Sequence, residues 1–181
     1  MFQVPQGRTS LAQRGSAGLR SQPREVPEGR PMSHSYSSNR IHLVFSTKNR
    51  AKLISEELQL KLWPCMAGIA RNHGFEAIKV GGVGDYTHAL LLLPATIPLA
   101  KAIQILKSCS SKWLNDTGTA GKNFAWQQGY GAFSVSASQT DAIIKYIENQ
   151  RSHHAKRSYE DEFLELLEKY GISYDPAHVL G

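Results

Sequence analysis

The chain has 181 residues, of which 41% are apolar, and a net charge of +6; this fits one folded domain with a core plus a tail. No apolar stretch approaches the length that spans a bilayer, and no charged segment followed by an apolar one opens the chain, so neither a membrane span nor a secretory signal is expected and the cytoplasm is the default location. The two cysteines, Cys65 and Cys109, form no CxxC or Cys/His cluster, which excludes a zinc ribbon or a disulfide scaffold and suits small apolar residues on helix faces.

The charge is unevenly spread. Residues 1–32 hold five Arg, two Glu, four Pro and four Gly, and the remaining 149 residues carry only +3. The first segment has no apolar period and is expected to be a disordered tail. Met32 opens the patterned region and is a candidate true translation start, with residues 33–181 as the domain.

From there the elements follow in order. Ile41 to Ser46 reads as a strand. Ser55 is placed to cap a helix running to about Asn72, stopped at Gly74 and kinked at Pro64. Phe75 to Val80 is a second strand, ending at a Gly81-Gly82 turn. Tyr86 to Leu93 is a third, apolar enough to be central in a sheet. Thr96 and Pro98 start a helix that reaches about Leu114, with Lys101, Lys107 and Lys112 as a solvated face. Asn115 to Lys122 reads as a loop. Phe124 to Ser136 is strand-like, broken at Gly129 and Gly131. Ser138 with Asp141 resembles a capping box that opens a helix through Gln150. Ser158 with Asp161 repeats the signal for a last helix, closed by Gly171. The order β-α-β-β-α-β is the split βαβ, or ferredoxin-like, pattern of an α+β fold, with an antiparallel sheet, helices on one face and two C-terminal helices following.

Several residues invite a chemical reading. Positions i and i+2 of a strand share a face, so two histidines so spaced can hold one divalent metal. In GDYTHALLLLP, His88 is present and its i−2 neighbour is Tyr86. Taken alone, His88 is a ligand or a packed sheet histidine. Tyr146 and Gln150 stand i, i+4 on one helix face, beside an apolar stripe of Ile143, Ile144 and Ile147. Tyr146 can thus pack its ring and keep its hydroxyl reachable, as a nucleophile or as an ordinary interfacial tyrosine. Lys48 and Arg50 in FSTKNR, and His153 and His154 with Lys156 and Arg157, could meet DNA phosphates or be solvated. QGYGAFSV partly matches an RNA-recognition strand, and its glycines equally suit a bulge or a close backbone approach.

Together, and in order, these segments resemble one family. HLVFSTKNR, VGGVGDYTHALLLLP, LKSCSSKW, FAWQQGYGAFSVSASQ, YIENQRSHH and LLEKYGISYD are similar to the single-tyrosine HUH transposases of insertion sequences, the IS200-like group that includes the REP-associated tyrosine transposases. The resemblance covers nearly all of residues 36–178. It implies a homodimer acting on single-stranded hairpin DNA in DNA transposition, with a tyrosine helix that can complete the partner's site. It further implies Tyr146 as the nucleophile that forms a 5′-phosphotyrosine. The implied metal ligands are His88 and Gln150, and the implied ion is Mg²⁺ or Mn²⁺, which would polarise the scissile phosphate.

The chain departs from that pattern at one ligand. Tyr86 stands where the first histidine belongs, and a neutral phenol is a poorer ligand for a hard cation than imidazole. Asp85 is a possible substitute, although on a regular strand it faces the other way. Three functions follow: an active DNA strand transferase, a catalytically inactive hairpin-DNA-binding protein with the same ancestry, and an RRM-like RNA-binding module.

Overall fold

The computed structural model describes residues 36–121, 123–154, 158–176 and 179, without the side chains of His153 and His154. The expected N-terminal tail lies outside the described residues. The elements are β1 (Asn39–Ser46), α1 (Glu56–Asn72), β2 (Glu76–Gly82), β3 (Tyr86–Leu93), α2 (Leu99–Thr117), β4 (Gly131–Val135), α3 (Thr140–Glu148), α4 (Gln150–His154) and α5 (Tyr159–Lys169). The strands pair antiparallel in the order β2-β3-β1-β4. This is the α+β class expected, with a β-α-β-β-α-β core followed by further helices. Among the described residues no helix is long and apolar enough to cross a membrane.

Alternation along β1 and β3 gives the sheet two different faces. Leu43 and Phe45 on β1 and Ala89, Leu91 and Leu93 on β3 point to one side, where they pack with Leu58, Leu62 and Met66 of α1 and Ala102, Ile103 and Leu106 of α2. The other side carries His42, Val44 and Ser46, opposite Leu90, His88 and Tyr86 in the β1–β3 register. This second face is covered too, by Ile147 of α3 and by Tyr159, Phe163 and Leu167 of α5. Burial of β3 on both sides explains its nearly unbroken apolar sequence.

Two glycines set how closely the covering helices approach. A Cβ on Gly81 of β2 would stand 2.7 Å from Ile147 Cγ2 and 2.9 Å from the Ile147 carbonyl oxygen. A Cβ on Gly131 of β4 would stand 2.6 Å from Phe163 Cε2. Helices α3 and α5 therefore rest directly on bare backbone. The Lys79–Glu148 ion pair, at 2.5 Å, further fastens the end of α3 to β2.

The caps at Ser55 and Ser158 hold as expected, each serine accepting a backbone N–H from the first turn. Cys65 and Cys109 lie half-buried in α1 and α2 as free thiols. Helix α1 runs continuously through Pro64, which is exposed, so water can satisfy the carbonyl that the missing N–H leaves free.

Six local expectations are corrected. Gly81-Gly82 is not a turn but the end of β2: Gly81 lies under Ile147 of α3, and Gly82, at φ 151°, lies against the Tyr86 carbonyl, where no Cβ would fit. Helix α2 continues to Thr117, where Gly118 ends it in the left-handed region at φ 64°. Only Gly131–Val135 of the 124–136 stretch is strand. The residues before it are held by Lys107, whose Nζ donates to the carbonyls of Gln127, Gln128 and Gly129 at 2.6, 3.2 and 2.9 Å. Lys107 is thus a loop anchor and not part of a solvated face; burial lowers its pKa to about 8. Ser138 is no cap: it lies in a short 3-10 turn, Ala137–Gln139, with its hydroxyl against Ser136, and Gln139 precedes α3. The tyrosine helix also ends at Glu148, so Gln150 opens a separate short helix.

Substituting Gly81 with Ala should destabilise the protein by about 1–3 kcal/mol, because α3 must move away from β2 to admit the methyl group. Urea unfolding checks this. An unchanged midpoint would mean that α3 is not seated on that glycine.

Candidate functional site

The polar part of the second sheet face begins with two histidines on neighbouring strands. His42 and His88 are 1% and 0% exposed, and His42 Nε2 lies 2.9 Å from His88 Nδ1. Burial lowers the pKa of each to about 3, with the neighbouring His88 a further cause for His42, so both rings are neutral near pH 7. Two neutral rings share one proton across that contact. When His88 Nδ1 donates it to His42 Nε2, the lone pair of His88 sits on Nε2. That Nε2 is buried and makes no hydrogen bond. It lies 3.3 Å from Glu162 Oε1 of α5, a distance without hydrogen-bond geometry.

Three helices then bring their side chains to the same point. Tyr146 of α3 donates its hydroxyl to Glu162 Oε1. Gln150 of α4 donates from Nε2 to the same oxygen at 3.1 Å. Tyr86 of β3 donates to Gln150 Oε1 at 3.0 Å and to Glu162 Oε2 at 3.2 Å. The Tyr146 ring stands edge-on to both histidines, with centroids 5.9 Å from His42 and 5.8 Å from His88. Burial first, and then the Glu162 carboxylate, raise the pKa of Tyr86 and of Tyr146 well above the usual phenol value. Both are neutral phenols in this arrangement. Tyr146 is half-buried, facing a cleft of about 610 Å³ bounded by α3 and α5 and lined by His42, Tyr146, Glu162, Lys169 and Tyr170 among others.

The structure thus brings together Tyr86, His88, Tyr146 and Gln150, which the sequence singled out. Gln150 stays beside Tyr146 although the helix breaks at Asn149 between them. All of these side chains belong to one chain, in which the tyrosine helix lies against β2 and β3. Asp85 is not in the group: its backbone carbonyl accepts from Thr47, and its buried Oδ1 has no hydrogen-bond partner. The carboxylate that reaches His88 is Glu162 instead. Lys48 is exposed in a 3-10 turn, while Arg50, at a positive φ of 52°, is turned back to pair with Glu160 of α5. The side chains of His153 and His154 lie outside the described residues.

Glu162 and His42 are the residues that sequence reasoning missed. Glu162 follows two other acids in the first turn of α5, where negative charge is expected to complement the helix dipole. Only its place in the stripe Tyr159, Glu162, Phe163, Leu167 sets it apart, as an acid on a buried apolar face. His42 alternates in phase with Val44 and Ser46, which could have flagged it. The RNA-recognition reading of QGYGAFSV loses its support. Tyr130, the aromatic of its G-aromatic-G core, precedes β4 instead of standing on it, and Phe133 on the strand is 1% exposed and packed 4.9 Å from the Tyr170 ring.

The site also bears on metal binding. Among the described residues no group of three His, Cys, Asp or Glu side chains is placed to hold a metal ion by itself. The donors that do converge are the orphaned His88 Nε2, the Gln150 carboxamide and the Glu162 carboxylate. A nitrogen with two oxygen donors suits a hard divalent ion. The Tyr86 hydroxyl does not fit as a ligand, since it spends its proton on Gln150 and Glu162.

Comparisons with known proteins place this geometry. A family model described as "Transposase IS200 like" matches residues 35–150. A crystal structure from Deinococcus radiodurans R1, described as a candidate transposase, is 23% identical with a TM-score of 0.52, and the match covers 67% of this chain and 97% of that one. A REP-associated tyrosine transposase bound to a REP hairpin is 16% identical with a TM-score of 0.50, covering 69% of this chain and 74% of that one. At these identities the two structures speak for the fold. No curated protein matches significantly. With the family model matched over most of the chain, and the paired strands and tyrosine helix within the matched residues, the chain belongs to the IS200-like transposase family.

Proposed function

We propose that this protein binds single-stranded hairpin DNA and cleaves and rejoins it through Tyr146. The observation that carries the reading is the position of the Tyr146 hydroxyl, beside His88, Gln150 and Glu162 and bordering an open cleft. The hairpin bound in the REP-associated relative supports the choice of substrate. In the reaction the phenolic oxygen attacks the scissile phosphorus, and the bond from phosphorus to the 3′ oxygen breaks. The 5′ end is left on Tyr146 as a phosphotyrosine. The phenolic proton passes to Glu162, its hydrogen-bond acceptor, and the departing 3′ oxygen takes up one proton from the cleft. A 3′-OH of another strand reverses the step, so rejoining needs no ATP.

Members of the family are generally metal-dependent. Here His88 and Gln150 would hold a Mg²⁺ or Mn²⁺ ion, which would polarise the phosphate and offset charge developing on it. His42 plays a separate part: its contact with His88 Nδ1 orients the ring, and when Nδ1 donates across that contact Nε2 is free for the ion. The proposed site is complete in one chain, and the homodimer that the resemblance implies would be seen by light scattering.

A second reading, a non-catalytic hairpin-binding protein, is favoured by Tyr86 in the first ligand position. A labelled hairpin with Mg²⁺ or Mn²⁺ separates the two. Wild type should form a covalent adduct, and Tyr146→Phe should form none while binding the hairpin within about twofold. Hairpin binding by the wild type without an adduct would select the second reading. An adduct persisting in Tyr146→Phe would remove Tyr146 from the role.

The reading also requires neutral histidines. His42 and His88 have folded pKa values of about 3 against 6.5 when unfolded. The unfolded chain therefore binds more protons between those values. This stability is present above pH 6.5 and is lost as pH falls through the window. For metal-free protein the loss between pH 7 and pH 5 should be about 2 kcal/mol per histidine. Urea unfolding at the two pH values measures it, and His42→Gln should show a smaller loss. Equal stability at both pH values would mean that the rings are not buried neutral.

A further inference from the structure

The Glu162 carboxylate is unusual for its surroundings. Its side chain is 10% exposed, and every group that meets it is neutral: Tyr86, Tyr146, Gln150 and His88. Among the described residues no Lys or Arg nitrogen comes within ion-pair distance of it. A buried carboxylate with donors around it but no cation is an anionic site that lacks its counter-charge. The uncharged Nε2 of His88, fully buried and without a hydrogen bond, lies 3.3 Å from that same oxygen. Two donors bound to one ion at about 2.1–2.2 Å stand roughly 3 Å apart when they are cis to each other, close to the separation seen here.

We propose that Glu162 is a metal ligand of this chain and takes the coordination place that Tyr86 has vacated, so that a divalent cation is held by His88, Gln150 and Glu162. The inference rests on the strand-transfer reading only for the location of the site. The geometry explains how a carboxylate could come to replace an imidazole. At the first ligand position a histidine presents a lone pair, whereas Tyr86 presents a proton. That proton is given to Glu162 Oε2 and, without the ion, to Gln150 Oε1, so the substituted side chain positions the replacement carboxylate instead of ligating. Helix α5 can deliver Glu162 because Gly131 lets Phe163 seat against β4. Glu162 also lies beyond residue 150, where the family match ends, so the replacement comes from outside the matched segment. A carboxylate has about four lone-pair positions, which leaves one for the Tyr146 proton when another is taken by the ion. The Gln150 carboxamide presents its oxygen to the same point after a half-turn about its last torsion.

Binding of Mn²⁺ alone to the full chain tests this without DNA, by calorimetry and by loss of the free-ion paramagnetic signal. Wild type should bind one ion. Glu162→Gln keeps the shape and removes the charge, and should weaken binding at least tenfold. Adding Tyr86→His to Glu162→Gln should restore much of the loss, because an imidazole then returns to the vacated place. Should Glu162→Gln unfold, Glu162→Asp keeps the charge on a shorter arm, and its weakened but measurable Mn²⁺ binding serves the same purpose. Mn²⁺ binding that is unchanged or tighter in Glu162→Gln would overturn the proposal, since Glu162 would then merely fill the ion's place. So would a wild type that binds no Mn²⁺. The adduct assay is independent. An adduct formed by a protein whose Mn²⁺ affinity ignores Glu162 would sink this inference and leave the strand-transfer reading standing. Mn²⁺ binding that depends on Glu162 without any adduct would do the reverse.

Discussion

One buried carboxylate organises the second face of this sheet. Glu162 receives hydrogen bonds from Tyr86, Tyr146 and Gln150, which arrive from β3, α3 and α4. Removing a carboxylate from water costs several kcal/mol even after relaxation. Hydrogen bonds to a charged acceptor return about 1.5–3 kcal/mol each, and three of them offset much of that cost. The arrangement therefore depends on all three donors at once, which ties the tyrosine helix, the short helix behind it and α5 into one unit. A charge held in this way by neutral groups is poised for a cation.

The sheet separates stability from chemistry. The face toward α1 and α2 is apolar throughout and forms the larger core. The face toward α3 and α5 mixes aromatic packing with the polar cluster. Because adjacent residues on a strand point to opposite sides, Leu43 and Phe45 can serve the core while His42 serves the site. Changes at Tyr86 or His88 thus fall on the second layer and leave the first layer's contacts untouched. The tilt and depth of that layer are fixed by bare backbone at Gly81 and Gly131. Had either position carried a side chain, Tyr146 or Glu162 would stand too far from the histidines to share a proton with the group.

Much of the fold was legible in the chain. Strand β3 matched its expected bounds, because a run buried on both faces has a continuous apolar signal. The capping serines at positions 55 and 158 were legible because a cap is a contact between near neighbours. The errors lay where distant partners decide. The 124–130 stretch has strand-like composition, yet Lys107 captures its carbonyls from another element. Gly81-Gly82 carries turn chemistry, yet Gly81 serves as a seat for Ile147 and Gly82 as a close approach to the Tyr86 carbonyl.

The candidate site divides along the same line. The sequence by itself determined that Tyr86 and His88 share a strand face, which follows from the strand's period, and it kept Tyr146 and Gln150 close by their four-residue separation, although the helix breaks at Asn149 between them. It also set the departure at Tyr86, by the residue type alone. Only the tertiary structure decided that Glu162, rather than Asp85, meets His88. Asp85 is held in the bend before β3, where its carbonyl accepts from Thr47, whereas Glu162 arrives through the docking of a helix far along the chain. No local period encodes that docking; it follows from Phe163 finding the bare backbone of Gly131 and from Tyr86 offering a proton where a lone pair was expected.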